Sequence, residues 1–436
     1  MHRGFALRWS QGTVAELLKG RHNSLGLLRL ALASAVVVSH ARILGYGGKE
    51  YLHSFSGGQT DLGKLSVYGF FVLSGILVTR SGMRLSLGRF LWHRALRIFP
   101  GFWVCLVVAA FAVAPLLYWR LHSTLDGFGG PHGPLDYLRV NWAVSTNQYD
   151  IAQVMTDARS AGLVHNTAFN GALWSLRYEF LCYLAVATLA VVGILTRARR
   201  AVLLLTAVLG WLVIRQASTD PFWAGPYDAH ILPAFQLPPF GPVNPAFLVY
   251  LGFAFALGAV IELYKERVPV SDPLGIAALA VLLGSLHYGY LFTVGIPAFA
   301  YVLVWLAIRL PAACRRIGAR HDYSYGIYIY GFLVQQTLAL IGWTRWGMAA
   351  YLALTFAFTV LLAVASWHLV ERPMMKLKDL RVGGRGRRTE RGTGPDGAPA
   401  AGQDPTAGQD PVTGPAPVSG PRSAAEDHAY AASPRG

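Results

Sequence analysis

Long apolar runs, separated by short polar or Gly/Pro-rich stretches, fill the chain from residue 25 to residue 376. A membrane-spanning helix needs about twenty mostly apolar residues. On that rule the pattern predicts ten helices, over residues 25–44, 62–79, 99–119, 172–195, 201–218, 245–263, 273–288, 290–310, 323–342 and 349–370. The expected fold class is all-α, a polytopic membrane domain over residues 25–376 between a short leading segment, 1–24, and a tail, 377–436. In the leading segment Thr13-Val14-Ala15-Glu16 has capping-box spacing and predicts a short interfacial helix. Residues 120–171 do not span; they form a long loop able to cover a site on their side of the membrane. Residues 381–436 are rich in Gly, Pro and Ala and repeat Ala-Gly-Gln-Asp-Pro at 401–405 and 407–411. Such a tail cannot bury a core and is expected to be disordered.

Composition agrees with the membrane class: 54% of residues are hydrophobic, 14% are charged, and the mean hydropathy is +0.40. The net charge of +16 has no aromatic-basic platform beside it that would point to nucleic acid. It follows topology instead. With the amino terminus in the cytoplasm, 28 Lys and Arg residues fall on that side and 7 on the other, the bias that orients membrane proteins. Both termini are then cytoplasmic. The first twenty residues are polar and amphipathic, so the first apolar run reads as an uncleaved anchor. Cys105, Cys182 and Cys314 lack paired spacing and read as small hydrophobes. No His/Cys/Asp cluster has metal spacing, and neither a phosphate loop nor a Gly-x-Ser-x-Gly elbow is present.

The candidate chemistry begins with Arg29 and His40, eleven positions apart in the first apolar run. Eleven helical steps leave them about 20° apart around the helix and about 16 Å apart along it. Ionisable groups in hydrocarbon are costly and mark functional sites by default; the bland alternative is Arg29 snorkelling to headgroups. Glu179, counted from a fourth helix starting near Ala172, falls roughly 10 Å below the outer face, a depth comparable with His40. A carboxylate beside an imidazole fixes its tautomer and raises its basicity, although Glu179 in a structural ion pair is the competing reading. Arg177, two residues away, points elsewhere on that helix. At the opposite mouth Arg94 and Arg97, three apart, share a face suited to phosphate oxygens, whereas Arg80, Arg84 and Arg89 read as topology signals. Between the two levels, Gly69 and Gly75 permit close helix approach, and Ser74 offers a hydroxyl.

Taken in order, Arg29 with His40, Gly69-Phe70-Phe71-Val72-Leu73-Ser74-Gly75, Arg94-x-x-Arg97 with Ile98-Phe99-Pro100, Trp174-Ser175-Leu176 with Glu179, Tyr323-Ser324-Tyr325-Gly326-Ile327-Tyr328, and Glu371-Arg372-Pro373 resemble the acyltransferase-3 family of integral-membrane O-acyltransferases. They cover residues 24 to about 376. The resemblance implies transfer of an acyl group, by default acetyl, from acyl-CoA to a hydroxyl of a carbohydrate or cell-envelope glycan, or of a small secondary metabolite such as a macrolide. It implies a catalytic role for His40 and a family position for Glu179, with Arg29, Arg94 and Arg97 around the donor, Ser74 beside them, and no metal. The CoA arm, about 15–20 Å long, matches the rise from Arg29 to His40. Two departures stand out. Tyr328-Ile329-Tyr330-Gly331-Phe332 lacks the histidine many members carry there, and the tail is too short for the secreted hydrolase-like domain that many members append. A secondary transporter would show paired broken helices or a repeat, and a scaffolding protein would tolerate Glu179→Gln.

Overall fold

The computed structural model describes residues 12–18, 23–217, 220–229 and 232–379. The tail expected to be disordered lies outside these from residue 380 on. Among the described residues each of the ten predicted segments is helical: α1 Leu25–Tyr46, α2 Leu62–Gly82, α3 Leu87–His122, α4 Trp174–Val191, α5 Arg200–Ala217, α6 Pro245–Leu263, α7 Asp272–Tyr288, α8 Leu291–Arg309, α9 Ser324–Leu340 and α10 Met348–Lys376. Seven are long and apolar enough to cross a membrane by length and composition. The other three are α4, which carries Arg177 and Glu179, and the shorter α7 and α9. The only sheet among the described residues is a two-stranded hairpin, Phe235–Leu237 with Gly241–Val243. The chain is a multi-pass membrane protein.

Local chemistry sets the helix boundaries. Asp61 caps α2 by accepting the Lys64 N–H at 2.7 Å, and Asn244 caps α6 through the Ala246 N–H at 2.9 Å. The predicted capping box closes a single turn, Val14–Leu17, where the Thr13 N–H donates to Glu16 Oε2 at 2.7 Å. The folded part continues slightly past the boundary expected at 377, because the Trp92 indole N–H holds the Leu377 carbonyl at 2.9 Å.

Helix α2 lies at the centre: 72% of its apolar window is buried within the protein, against 22% for α10. Its glycines explain this. A Cβ on Gly75 would stand 2.1 Å from the Phe255 carbonyl oxygen, and one on Gly258 2.1 Å from that of Val72. The α2 and α6 backbones therefore touch, as the sequence suggested. Helices α1 and α2 run antiparallel, with Gly69 against Leu32 and Gly63 against Ser39. Helix α9 runs alongside α1, with Gln335 Nε2 donating to the Val37 carbonyl at 2.7 Å. The bundle thus has an arginine end, at the start of α1, and a histidine end, at its finish.

One segment alters the depth scale. Residues 166–173 descend into the bundle along α9. Gln336 Nε2 donates to the carbonyls of Asn166 and Ala168 at 2.7 Å, Asn170 Nδ2 to that of Ile329 at 2.8 Å, and the Tyr328 hydroxyl to that of Ala172 at 2.8 Å. Gln336 and Tyr328 are eight residues apart, so the descent is about 12 Å. Irregular backbone survives at such depth only where protein satisfies its polar groups, and the buried amides of Gln336 and Asn170 do so. Helix α4 consequently begins inside the bundle, not at its surface.

Candidate active site

His40 lies in the last turns of α1, where the chain turns at Gly47, in the left-handed conformation (φ 64°), before entering α2. That turn brings Glu50 back over the helix end, and His40 Nδ1 meets Glu50 Oε1 at 2.6 Å. The pair is mostly enclosed, with 23% and 12% of the two side chains exposed. Asp61 hydrogen-bonds to Glu50 in turn, and Lys64 Nζ pairs with Asp61 Oδ2 at 3.0 Å. Burial, and then the neighbouring Glu50 charge, push the Asp61 carboxyl up to about 6. Burial alone would raise Glu50 too, but its hydrogen bond to His40 and the imidazole charge hold it down to about 2. Glu50 is therefore an ionised acceptor, and in the neutral imidazole the single ring proton belongs on Nδ1, toward Glu50. The other nitrogen, Nε2, then carries the ring's free lone pair. The ring stands edge-on to Phe332, with centroids 5.4 Å apart.

At the arginine end, Arg29 Nη1 and Arg97 Nη2 share Asp322 Oδ2, at 2.5 and 2.7 Å. Burial opposes ionisation of Asp322, but the two guanidiniums hold its carboxyl well below the usual carboxylate range. A π-helical turn at Trp367–Glu371 in α10 brings Glu371 to within 3.6 Å of Arg97 Nη1. Arg94 differs: it lies 5.6 Å from the Tyr183 ring centre, its Nε is buried without a hydrogen-bond partner, and it makes no ion pair among the described residues. Arg29, Arg94, Arg97, Asp322, Trp367 and Lys378 line a cavity of about 330 Å³.

A second, narrower cavity of about 40 Å³ lies beside it, between Phe70, Ser175 and Tyr328. Arg29, Ser74, Glu179 and Tyr325 line both and form a waist between them. At the waist Glu179 Oε1 accepts the Ser74 hydroxyl at 2.7 Å and the Tyr183 hydroxyl at 2.6 Å. Deeper in, the Ser175 and Tyr328 hydroxyls lie 2.5 Å apart. His40 lines neither cavity; Phe332, its ring partner, is one turn of α9 beyond Tyr328.

Residues 22–368 match the acyltransferase domain family. The chain belongs to that acyltransferase family. It is 27% identical over 366 residues to the O-acetyl transferase of Shigella phage Sf6, covering 81% of this chain and 96% of that protein. It is 28% identical over 395 residues to nodulation protein 10 of Rhizobium leguminosarum bv. viciae, covering 84% and 97% respectively. No solved structure matches it. The protein is a membrane O-acyltransferase, which moves an acyl group from a donor to a hydroxyl.

The structure of this acyltransferase gathers Arg29, Arg94, Arg97 and Ser74 around one cavity. It corrects the pairing of Glu179 with His40. Because α4 starts deep, Glu179 sits at the waist beside Ser74, eleven residues along α2 from Gly63 and so about 16 Å from the level of His40. Nor is Glu179 in an ion pair with an arginine among the described residues. Arg177 does point elsewhere, donating to Thr146 Oγ1 at 2.9 Å and to the Pro242 carbonyl. Sequence reasoning missed Glu50, Asp61 and Asp322. Asp322 directly precedes the Tyr323-Ser324-Tyr325 stretch, and Asp61 stands at the N-cap of α2. Glu50 carries no pattern of its own, and only the turn after α1 reveals it.

Proposed function

We propose that this acyltransferase moves an acyl group, by default acetyl, from acyl-CoA to a hydroxyl of an extracytoplasmic glycan, with His40 as general base. The observation that carries the reading is the 2.6 Å contact of His40 Nδ1 with Glu50 on a helix whose other end joins the arginine cavity. The donor supplies a thioester carbonyl as the electrophile. His40 Nε2 takes the proton from the acceptor hydroxyl as its oxygen bonds to that carbonyl, and returns the proton to the departing sulfur. Ionised Glu50 holds the tautomer and stabilises the imidazolium formed in between. Asp61, neutral at low pH, steadies Glu50 by a hydrogen bond.

The residues present suit the phosphorylated end of the donor. Arg94 brings a guanidinium whose Nε is buried and which pairs with no carboxylate among the described residues, and Arg29 and Arg97 are oriented by Asp322. Positive charge on the loops supports an arginine end facing the cytoplasm, where acyl-CoA is made, and a histidine end near the outer leaflet. The described cavities stop short of His40, so Phe70 and Tyr328 must give way for the acyl group to reach it.

Acceptor identity is tested by mass spectrometry of surface glycans and secreted metabolites from cells carrying the wild type or His40→Ala. An acyl-sized mass difference in a glycan supports the reading, and one confined to a small secreted metabolite transfers it to that acceptor class. No difference in either, with a folded wild-type protein, contradicts it.

A further inference from the structure

The waist between the two cavities holds a carboxylate that is half occupied. Both hydrogen bonds to Glu179, from Ser74 and from Tyr183, arrive at Oε1. Oε2 has no partner among the described residues, and Glu179 lines both cavities. Of the basic groups around the passage, Arg29 is already held by Asp322 at 2.5 Å and Arg94 lies over the Tyr183 ring, 5.6 Å from its centre; neither pairs with Glu179 among the described residues. A carboxylate oxygen is acceptor-only when ionised, so what Oε2 lacks is a donor from a ligand in the passage. Its two filled contacts lock the carboxylate in place, which suits a positioning group better than a mobile acid.

We propose that Glu179 Oε2 accepts an amide N–H of the pantetheine arm of the acyl donor, and so fixes how far the thioester extends toward His40. The inference rests on acyl-CoA being the donor. Between its phosphates and its sulfur that arm offers two amide N–H groups, and a chain joining the arginine cavity to the His40 end must pass Glu179. Glu179 is then a positioning residue, separated from the proton transfer by about eleven residues of helical rise, or roughly 16 Å. Ser74 and Tyr183 serve it by holding Oε1.

The test measures acetyl-CoA binding and turnover by purified protein, with two donor analogues in which one or the other amide N–H is replaced by an ester oxygen. A hydrogen bond to a charged group predicts that wild type binds one analogue about 10–100-fold more weakly than acetyl-CoA. Glu179→Ala should show a similar loss with acetyl-CoA itself and less than a twofold further loss with that analogue, the signature of a direct contact in a double-mutant cycle. Donor KM should rise more than kcat falls. Glu179→Gln, which preserves shape and retains a neutral acceptor, should fall between the two and keeps the test decisive if the alanine variant does not fold. Equal losses with the analogues in wild type and variants, or no loss with either analogue in wild type, overturn the proposal and leave the donor assignment intact. Kcat lost with donor affinity unchanged also overturns it and makes Glu179 a participant in the chemistry. Failure of wild type to bind acetyl-CoA at all overturns the donor assignment, and this inference with it.

Discussion

Glu50→Gln removes one charge and almost no volume, and it acts on His40 in two ways. The 2.6 Å contact with Nδ1 loses its charge, and a hydrogen bond to a charged group is worth about 2 kcal/mol, or roughly 30-fold in rate. The glutamine amide can also donate to Nδ1, which places the imidazole proton on Nε2 and blocks the base. A misplaced tautomer in a comparable dyad costs up to about 10⁴-fold. Glu50→Ala suffers only the first loss. The geometry therefore predicts an unusual order: kcat falls at least about 30-fold in Glu50→Ala and further in the more conservative Glu50→Gln. Donor affinity should change less than twofold in both, since Glu50 stands at the end of α1 opposite the arginines. Steady-state kinetics with purified protein, paired with donor-binding titrations, measure both quantities. Glutamine retaining more than a third of wild-type kcat would refute the reasoning, as would glutamine outperforming alanine.

Asp61→Asn preserves the cap on α2 but removes the carboxyl raised to about 6. A raised folded pKa means that stability from the neutral form is fully present below the ordinary carboxylate range and is lost as pH rises through about 6. Between pH 4 and 7 wild type should therefore lose Tm that Asp61→Asn does not; parallel Tm curves would contradict this. Arg94→Ala should weaken acetyl-CoA binding at least tenfold with little change in Tm, because no carboxylate among the described residues pairs with it. Arg97→Ala should also destabilise the fold by about 3 kcal/mol, since Asp322 and Glu371 lose a buried partner; equal Tm for the two variants would count against the assignment. Gly258→Ala drives a methyl into the Val72 carbonyl and should cost about 1–3 kcal/mol or prevent folding, read by thermal unfolding in detergent.

The fold was largely legible because a membrane span must be apolar for about twenty residues, and the ten runs announce themselves. Arg29, Arg94 and Arg97 could be grouped because helical spacing places each on a known face near a known end. Glu179 was misplaced for a physical reason: counting rise from the first apolar residue assumes that a helix begins at the membrane surface. Here Gln336 and Asn170 pay the backbone's hydrogen-bonding cost and draw residues 166–173 inside. The partner of His40 was invisible for a related reason. Glu50 lies in a loop, where no periodicity fixes direction, and only the turn at Gly47 sends it back. Asp322 could have been found by asking which acid faces a pair of arginines at that end, since it adjoins the tyrosine stretch that the sequence does reveal.

The central claim, that one imidazole performs the transfer while a remote arginine cavity holds the donor, is tested most directly by His40→Ala in proteoliposomes supplied with labelled acetyl-CoA and acceptor. The account predicts donor binding within twofold of wild type and transfer reduced at least a thousandfold, about 4 kcal/mol of barrier. Transfer at a tenth of the wild-type rate or better by the folded variant would contradict it.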